Sequence, residues 1–126
     1  MKKLWAGVFL LAFLLGASLL NAWHANTSHS RTASLLTQAA DAALSGDLSR
    51  GITLAEQAKT LWETHRDGVA IVADHQPLET VDGLLSQMAV YAAVKEPVEF
   101  AAVCRYAARQ VEAVGEAQAI NWQNLL

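Results

Sequence analysis

The sequence predicts an all-α protein: an N-terminal transmembrane helix followed by a small antiparallel helical bundle, about four helices in total. Three observations carry this. Residues 4–20 contain no charged side chain. Beyond them, apolar residues recur at intervals of three and four, the period of one buried helix face. The helix-breaking residues sit between these stripes, and the chain has only two prolines, Pro77 and Pro97. No stretch alternates as a half-buried strand would. At 126 residues there is room for one compact domain besides a membrane segment, since a domain typically takes ~100 residues or more.

The first element is the apolar segment. Trp5 and Trp23 stand at its two ends. At ~1.5 Å rise per residue they lie roughly 27 Å apart along a helix, close to the ~30 Å hydrocarbon thickness and where an aromatic belt forms. Seven Leu, two Phe and one Val in the segment, at roughly −0.3 to −0.6 kcal/mol each, favour insertion by several kcal/mol. A cleaved export signal is the competing reading, with Gly16-Ala17-Ser18 as its weak cleavage site. The apolar run continues through Leu19 and Leu20, longer than an export signal needs. Lys2 and Lys3 precede the segment and the next basic residue is Arg31, so the excess of positive charge places the N-terminus in the cytoplasm. The expected domains are an anchor at 1–23 with a short Lys-Lys flank and an extracytoplasmic helical domain at 24–126.

Neither Gly nor Pro occurs between Gly16 and Gly46, so nothing forces a break between the anchor and the first bundle helix. Leu35, Leu36, Ala39, Ala43 and Leu44 form the first stripe. Ser45-Gly46-Asp47 then reads as a stop and restart: Gly46 takes the left-handed conformation that ends a helix, and Asp47 caps the next. The second helix carries Leu48, Ile52, Ala55, Leu61, Trp62, Val69 and Val72 and is expected to end near Asp74, because Pro77 disfavours helical geometry at Gln76. A turn is expected at 74–77. The third stripe is Val81, Leu84, Leu85, Met88, Tyr91 and Ala92, ending near Val94. Pro97 suits the first turn of a fourth helix, where a missing N–H costs nothing. That helix presents Phe100, Ala101, Cys104, Ala107, Ala108, Val111 and Val114 and can run past Gly115 towards Trp122.

Charge narrows the function classes. From His24 onward there are seven Lys and Arg against twelve Asp and Glu, a net −5. An acidic domain with dispersed basic residues lacks the footprint that phosphate backbones or anionic headgroups demand, so nucleic acid is not an expected partner. Cys104 is the single cysteine. It allows no intrachain disulfide, and no cysteine near the N-terminus is available for a lipid anchor.

No Gly-rich phosphate loop, nucleophile elbow or paired-acid constellation is present. His65, His75 and Glu79 are the best candidates for a zinc site, but no His-x-x-x-His pair exists and His75 and Glu79 straddle Pro77. A local role for Asp74 and His75, as a structural turn bonding free N–H groups at the start of the third helix, fits better. Trp62 and Cys104 lie on apolar stripes and read as core. Asn26-Thr27-Ser28 matches a glycosylation acceptor, idle in a bacterium. A peptide-binding hairpin of the tetratricopeptide type lacks a second copy at ~34 residues and the roughly three copies it needs.

The order of Lys2-Lys3-Leu4-Trp5, the Gly46-Asp47 turn, Trp62-Glu63-Thr64-His65, Ala73-Asp74-His75 with Leu78 and Glu79, and Asn124-Leu125-Leu126 resembles an uncharacterised family, domain of unknown function 4363. The resemblance covers nearly the whole chain. It implies a small single-pass protein of Gram-positive bacteria with a helical extracytoplasmic part and no established activity. Pro77, where an acidic or polar residue is common, and the Ala-rich fourth helix depart from the pattern.

The resulting expectation is a non-catalytic accessory or interaction protein of the cell membrane, without cofactor or metal. It would be held by a single-pass anchor and would bind a protein partner or itself. Ile120, Trp122, Leu125 and Leu126 are the expected contact element, and Trp5 and Trp23 the membrane-interface residues. The alternatives are a peptide- or small-ligand-binding helical module and a metal-binding protein.

Overall fold

A computed structural model describes the backbone of residues 2–70 and 75–125 and the side chains of residues 2–20, 29–66 and 77–117. Within these residues the chain forms α1 (Lys2–Leu44), α2 (Leu48–Ala70), α3 (His75–Ala93) and α4 (Pro97–Leu125), with no strand. The absence of helix breakers up to Gly46 lets α1 run unbroken for 43 residues, from the apolar segment into the bundle.

The helices run up and down in turn. Arg105 of α4 bonds Asp41 of α1, while Gly115 of α4 lies against His29, so these two helices are antiparallel. Helix α1 packs extensively against both α4 and α2, and α3 packs against α4, whereas α2 and α3 touch little. The buried faces of α1 and α4 are built largely from small residues, Ala39, Ala40, Ala43, Ala101, Ala107 and Ala108. Small side chains allow close approach of helix axes and leave Leu36, Phe100, Val111 and Val114 to fill the remaining space. All seven residues expected on the buried face of α4 are buried. The other stripes need adjustment. Leu44 is 52% exposed, because it closes α1 where the chain turns away, while Ala33, Ala40, Ala58 and Leu78 join the core.

Both tight turns end a helix by the same device. In the first, the Asp47 N–H bonds the Ala42 carbonyl at 2.9 Å and the Gly46 N–H bonds the Ala43 carbonyl at 3.3 Å, with Gly46 at φ 90°. This is a Schellman motif. Asp47 then caps α2, its Oδ1 accepting from the Arg50 N–H at 3.2 Å. In the second, the Glu96 N–H bonds Tyr91 and the Lys95 N–H bonds Ala92, at 3.1 and 3.3 Å, with Lys95 at φ 58°. Gly46 and Lys95 are thus equivalent and lie forty-nine residues apart. At the same sequence offset buried Leu36 matches buried Leu85, Gly51 matches Phe100, Ala55 matches Cys104, Ala58 matches Ala107 and Trp62 matches Val111.

Lys95 has a Cβ in the left-handed region that glycine occupies at no steric cost. Lys95→Gly is expected to raise stability by roughly 0.5–1 kcal/mol, and Gly46→Ala to lower it by about 1 kcal/mol, read as shifts of the urea midpoint.

Of the turn expected at 74–77, residues 75–77 are helical. Helix α3 begins at His75, so Pro77 is its third residue. Helix α2 is described as far as Ala70; Val72 and Asp74, where its end was expected, lie outside the described residues.

Candidate functional site

The most elaborate side-chain arrangement lies where α1, α2 and α3 meet. Trp62 stands on the apolar stripe expected for α2, with Leu48, Ile52, Ala55 and Leu61, and only 2% of it is exposed. Its Nε1–H donates to Asp82 Oδ1 at 3.0 Å. The other carboxylate oxygen of Asp82 accepts from Arg66 Nε and Nη2, both at 2.8 Å. Arg66 follows Trp62 by one turn of α2, so one carboxylate from α3 clasps two side chains of the same helix face. The indole meets the His29 ring edge to face, centroids 6.2 Å apart at 64°, a favoured geometry for aromatic pairs. His29 is 4% exposed and is covered from the other side by Gly115, where an added Cβ would come within 3.2 Å of the His29 Cβ. Arg66 and Asp82 are about one-third exposed, so solvent screens the ion pair and its contribution is modest. The arrangement locks three helices together. It contains no group placed as a nucleophile.

Sequence reading missed Asp82 and His29. Asp82 borders the stripe of Leu78, Val81 and Leu85, and an acidic residue beside a buried face is the available signal; its partner twenty residues earlier is set by tertiary packing. His29 lies in the polar stretch before the first recognised stripe, and its spacing of seven from Leu36 extends that stripe by two turns.

Cys104 is fully buried, and burial pushes its thiol up from 9.0 to about 12. The folded chain keeps this proton where an unfolded chain loses it. Cys104 therefore contributes stability that is complete below about pH 9 and declines as pH rises from there towards 12. At pH 8, a bulky thiol reagent is expected to leave Cys104 unmodified in the native protein and to modify it within minutes in denaturant, as followed by mass spectrometry.

Of the zinc candidates, His65 is half-buried on α2 and Glu79 exposed on α3. His75 shares α3 with Glu79, four residues away, and its side chain lies outside the described residues. Among the described residues no group of three or more His, Cys, Asp or Glu could hold a metal ion. Asp74, the other half of the expected structural turn, is outside the described residues. So are the side chains of Trp23, Ile120, Trp122 and Leu125, and Leu126 altogether; Ile120, Trp122 and Leu125 fall within helix α4. Trp5 is 68% exposed.

The described surface carries several shallow grooves, two of them of about 500 Å³. One, of about 520 Å³, runs between α1 and α2 and is lined by Leu35, Leu61, Arg31, Glu56 and a row of threonines. The other, of about 480 Å³, follows the α1/α4 seam past Thr37, Tyr106, Arg105 and Arg109. The Thr53, Thr60 and Thr64 hydroxyls in the first groove donate to carbonyls one turn back, at 2.8–3.2 Å, which leaves its floor largely apolar.

Among the described residues, one helical segment is long and apolar enough to cross a membrane. It spans Lys2–Leu20, with mean hydropathy 2.0 and no residue buried against the rest of the chain.

No curated protein and no solved structure matches the chain. The model of one family, described as a domain of unknown function, matches residues 21–125, beginning where the apolar segment ends. The chain belongs to that family, DUF4363.

Proposed function

We propose that the protein is a single-pass, non-catalytic accessory component of the cell membrane. Its N-terminus is cytoplasmic, and its helical bundle works by contact outside the cytoplasm, either with a second copy or with a larger integral membrane protein. One observation carries this reading above the others. The fully exposed apolar segment of α1 continues without a break into the helix that packs against both α2 and α4. An exposed helix of that composition is costly in water and favoured in lipid, and a continuous helix holds the bundle directly above the bilayer.

The contact role is supported by what the bundle leaves uncovered. Val90, Val94 and Val98 are each 59–64% exposed and lie within nine residues around the α3–α4 turn, at the end of the bundle remote from the apolar segment. Clustered exposed apolar residues mark interaction surfaces more often than singly scattered ones do. The core, in turn, is rich in alanine, and each alanine buries little apolar area, so a partner that binds only the folded form adds stability.

The test is purification in mild detergent followed by chemical cross-linking in native membranes. A discrete complex is expected, weakened by Val94→Asp with helicity unchanged. A strictly monomeric species at every concentration would overturn the contact reading and favour the groove between α1 and α2 as a peptide or small-ligand site.

A further inference from the structure

The antiparallel register of the bundle fixes how far α4 descends. Asp41 stands opposite Arg105 and His29 opposite Gly115, so residue numbers fall along α1 as they rise along α4. Helix α4 continues to Leu125. Extending the two pairings brings residue 122 level with about residues 22–24 and residue 125 level with about 19–21, at the same ~1.5 Å rise in both helices. The second tryptophan bounding the apolar segment, Trp23, is within the first interval, and the last leucines of the segment, Leu19 and Leu20, are within the second. The same construction applies to α2, where Trp62 is opposite His29 and Gly51 opposite Ala39. It places Ala70, the last described residue of α2, level with about residues 20–21.

We infer that the end of α4, residues 120–125, is a second membrane contact: it returns to the outer surface of the bilayer and lies at the boundary between headgroups and acyl chains. The inference rests on the reading of Lys2–Leu20 as the anchor. Its independent support is compositional. Glu116 is the last charged residue, and the segment that follows contains Ile120, Trp122 and Leu125 among asparagines and glutamines. A tryptophan flanked by uncharged polar and aliphatic residues suits that boundary, where one edge of the indole is wet and the rest is in hydrocarbon. The lower end of the bundle then seats on the bilayer by α4 as well as by the anchor, which fixes its tilt. No basic cluster is involved, so the contact is apolar and tolerant of salt and of headgroup charge.

The experiment is spin-label accessibility on the full-length chain in vesicles of phosphatidylcholine and phosphatidylglycerol, with labels at Asn21→Cys, Gln123→Cys and Glu99→Cys. Cys104 is fully buried and does not compete for the label. Residue 99 opens α4 at the far end of the bundle and reports the aqueous phase. At positions 21 and 123, collision with oxygen should exceed collision with a water-soluble nickel complex several-fold more than at position 99, giving matching depths. Interfacial depth at 21 with aqueous exposure at 123 would overturn the inference and leave the anchor intact. Aqueous exposure at 21 would overturn the anchor, and the inference with it. Low collision with both reagents at 123 would show that a protein surface covers this segment, which also overturns the inference.

Discussion

Replacing Trp62 by alanine is expected to destabilise the bundle by about 3–5 kcal/mol, the cost of deleting a large buried aromatic from a packed core. Three losses combine. The indole is 2% exposed, so its removal leaves a cavity where α1, α2 and α3 meet. Its edge-to-face contact with His29 disappears. Asp82 Oδ1 loses the Nε1–H donor at 3.0 Å, although water can reach this half-buried carboxylate and replace it. Neighbouring alanines cannot reach into the space, and the site can collapse only by moving a helix. Domains typically hold 5–15 kcal/mol in all, so the substitution is expected to leave this Ala-rich bundle at the edge of unfolding at 37 °C. Trp62→Phe keeps most of the volume and should cost about 1–2 kcal/mol, mainly through the lost hydrogen bond. Urea titrations followed by far-ultraviolet circular dichroism measure both, and equal costs for the two variants would show that the ring's volume is not what matters.

The second large effect is expected at Gly51. A Cβ there would stand 2.8 Å from the Ala39 carbonyl oxygen, 3.3 Å from the Phe100 ring and 3.4 Å from the Ala43 nitrogen. Two of these neighbours are backbone of α1 and cannot swing aside. In an exposed helix, exchanging Gly for Ala would gain about 1 kcal/mol of propensity; at this position that gain is consumed by pushing α1 away from α2. Gly51→Val adds two further methyl groups to the same contact and is expected to cost about 3 kcal/mol. Gly83 has open space around its missing Cβ, so Gly83→Ala should stabilise by up to about 1 kcal/mol. The pair of opposite signs in one thermal-denaturation series separates close approach from propensity.

The helices themselves were legible because each depends on local chemistry. The Gly46-Asp47 stop and cap, Pro97 at the start of α4 and the three-and-four stripe from Phe100 to Val114 all appear in the structure as the sequence implies. Pro77 did not keep Gln76 out of helix α3, because the bias of a residue before proline away from helical geometry is a local preference that packing of the helix can override. Lys95 gave no sign of a left-handed cap, since lysine carries no preference for that conformation; the constraint comes from two helices meeting at a three-residue turn. The clasp of Trp62, Arg66 and Asp82 was half visible. The tryptophan stood on its stripe, but which acid would meet it depends on how α3 lies against α2, information no local pattern holds. The close approach at Gly51 was invisible for the same reason, as its significance rests on Ala39 and Phe100 from two other helices.

The central claim, that Lys2–Leu20 spans a membrane and carries the bundle outside the cytoplasm, is tested most directly by reporters fused after Leu126. One reporter should be active only outside the cytoplasm and the other only inside. The account predicts activity from the first alone, with the full-length chain remaining in the membrane after alkaline carbonate washing. Activity from the cytoplasmic reporter, or release of a soluble chain lacking roughly its first eighteen residues, would contradict it.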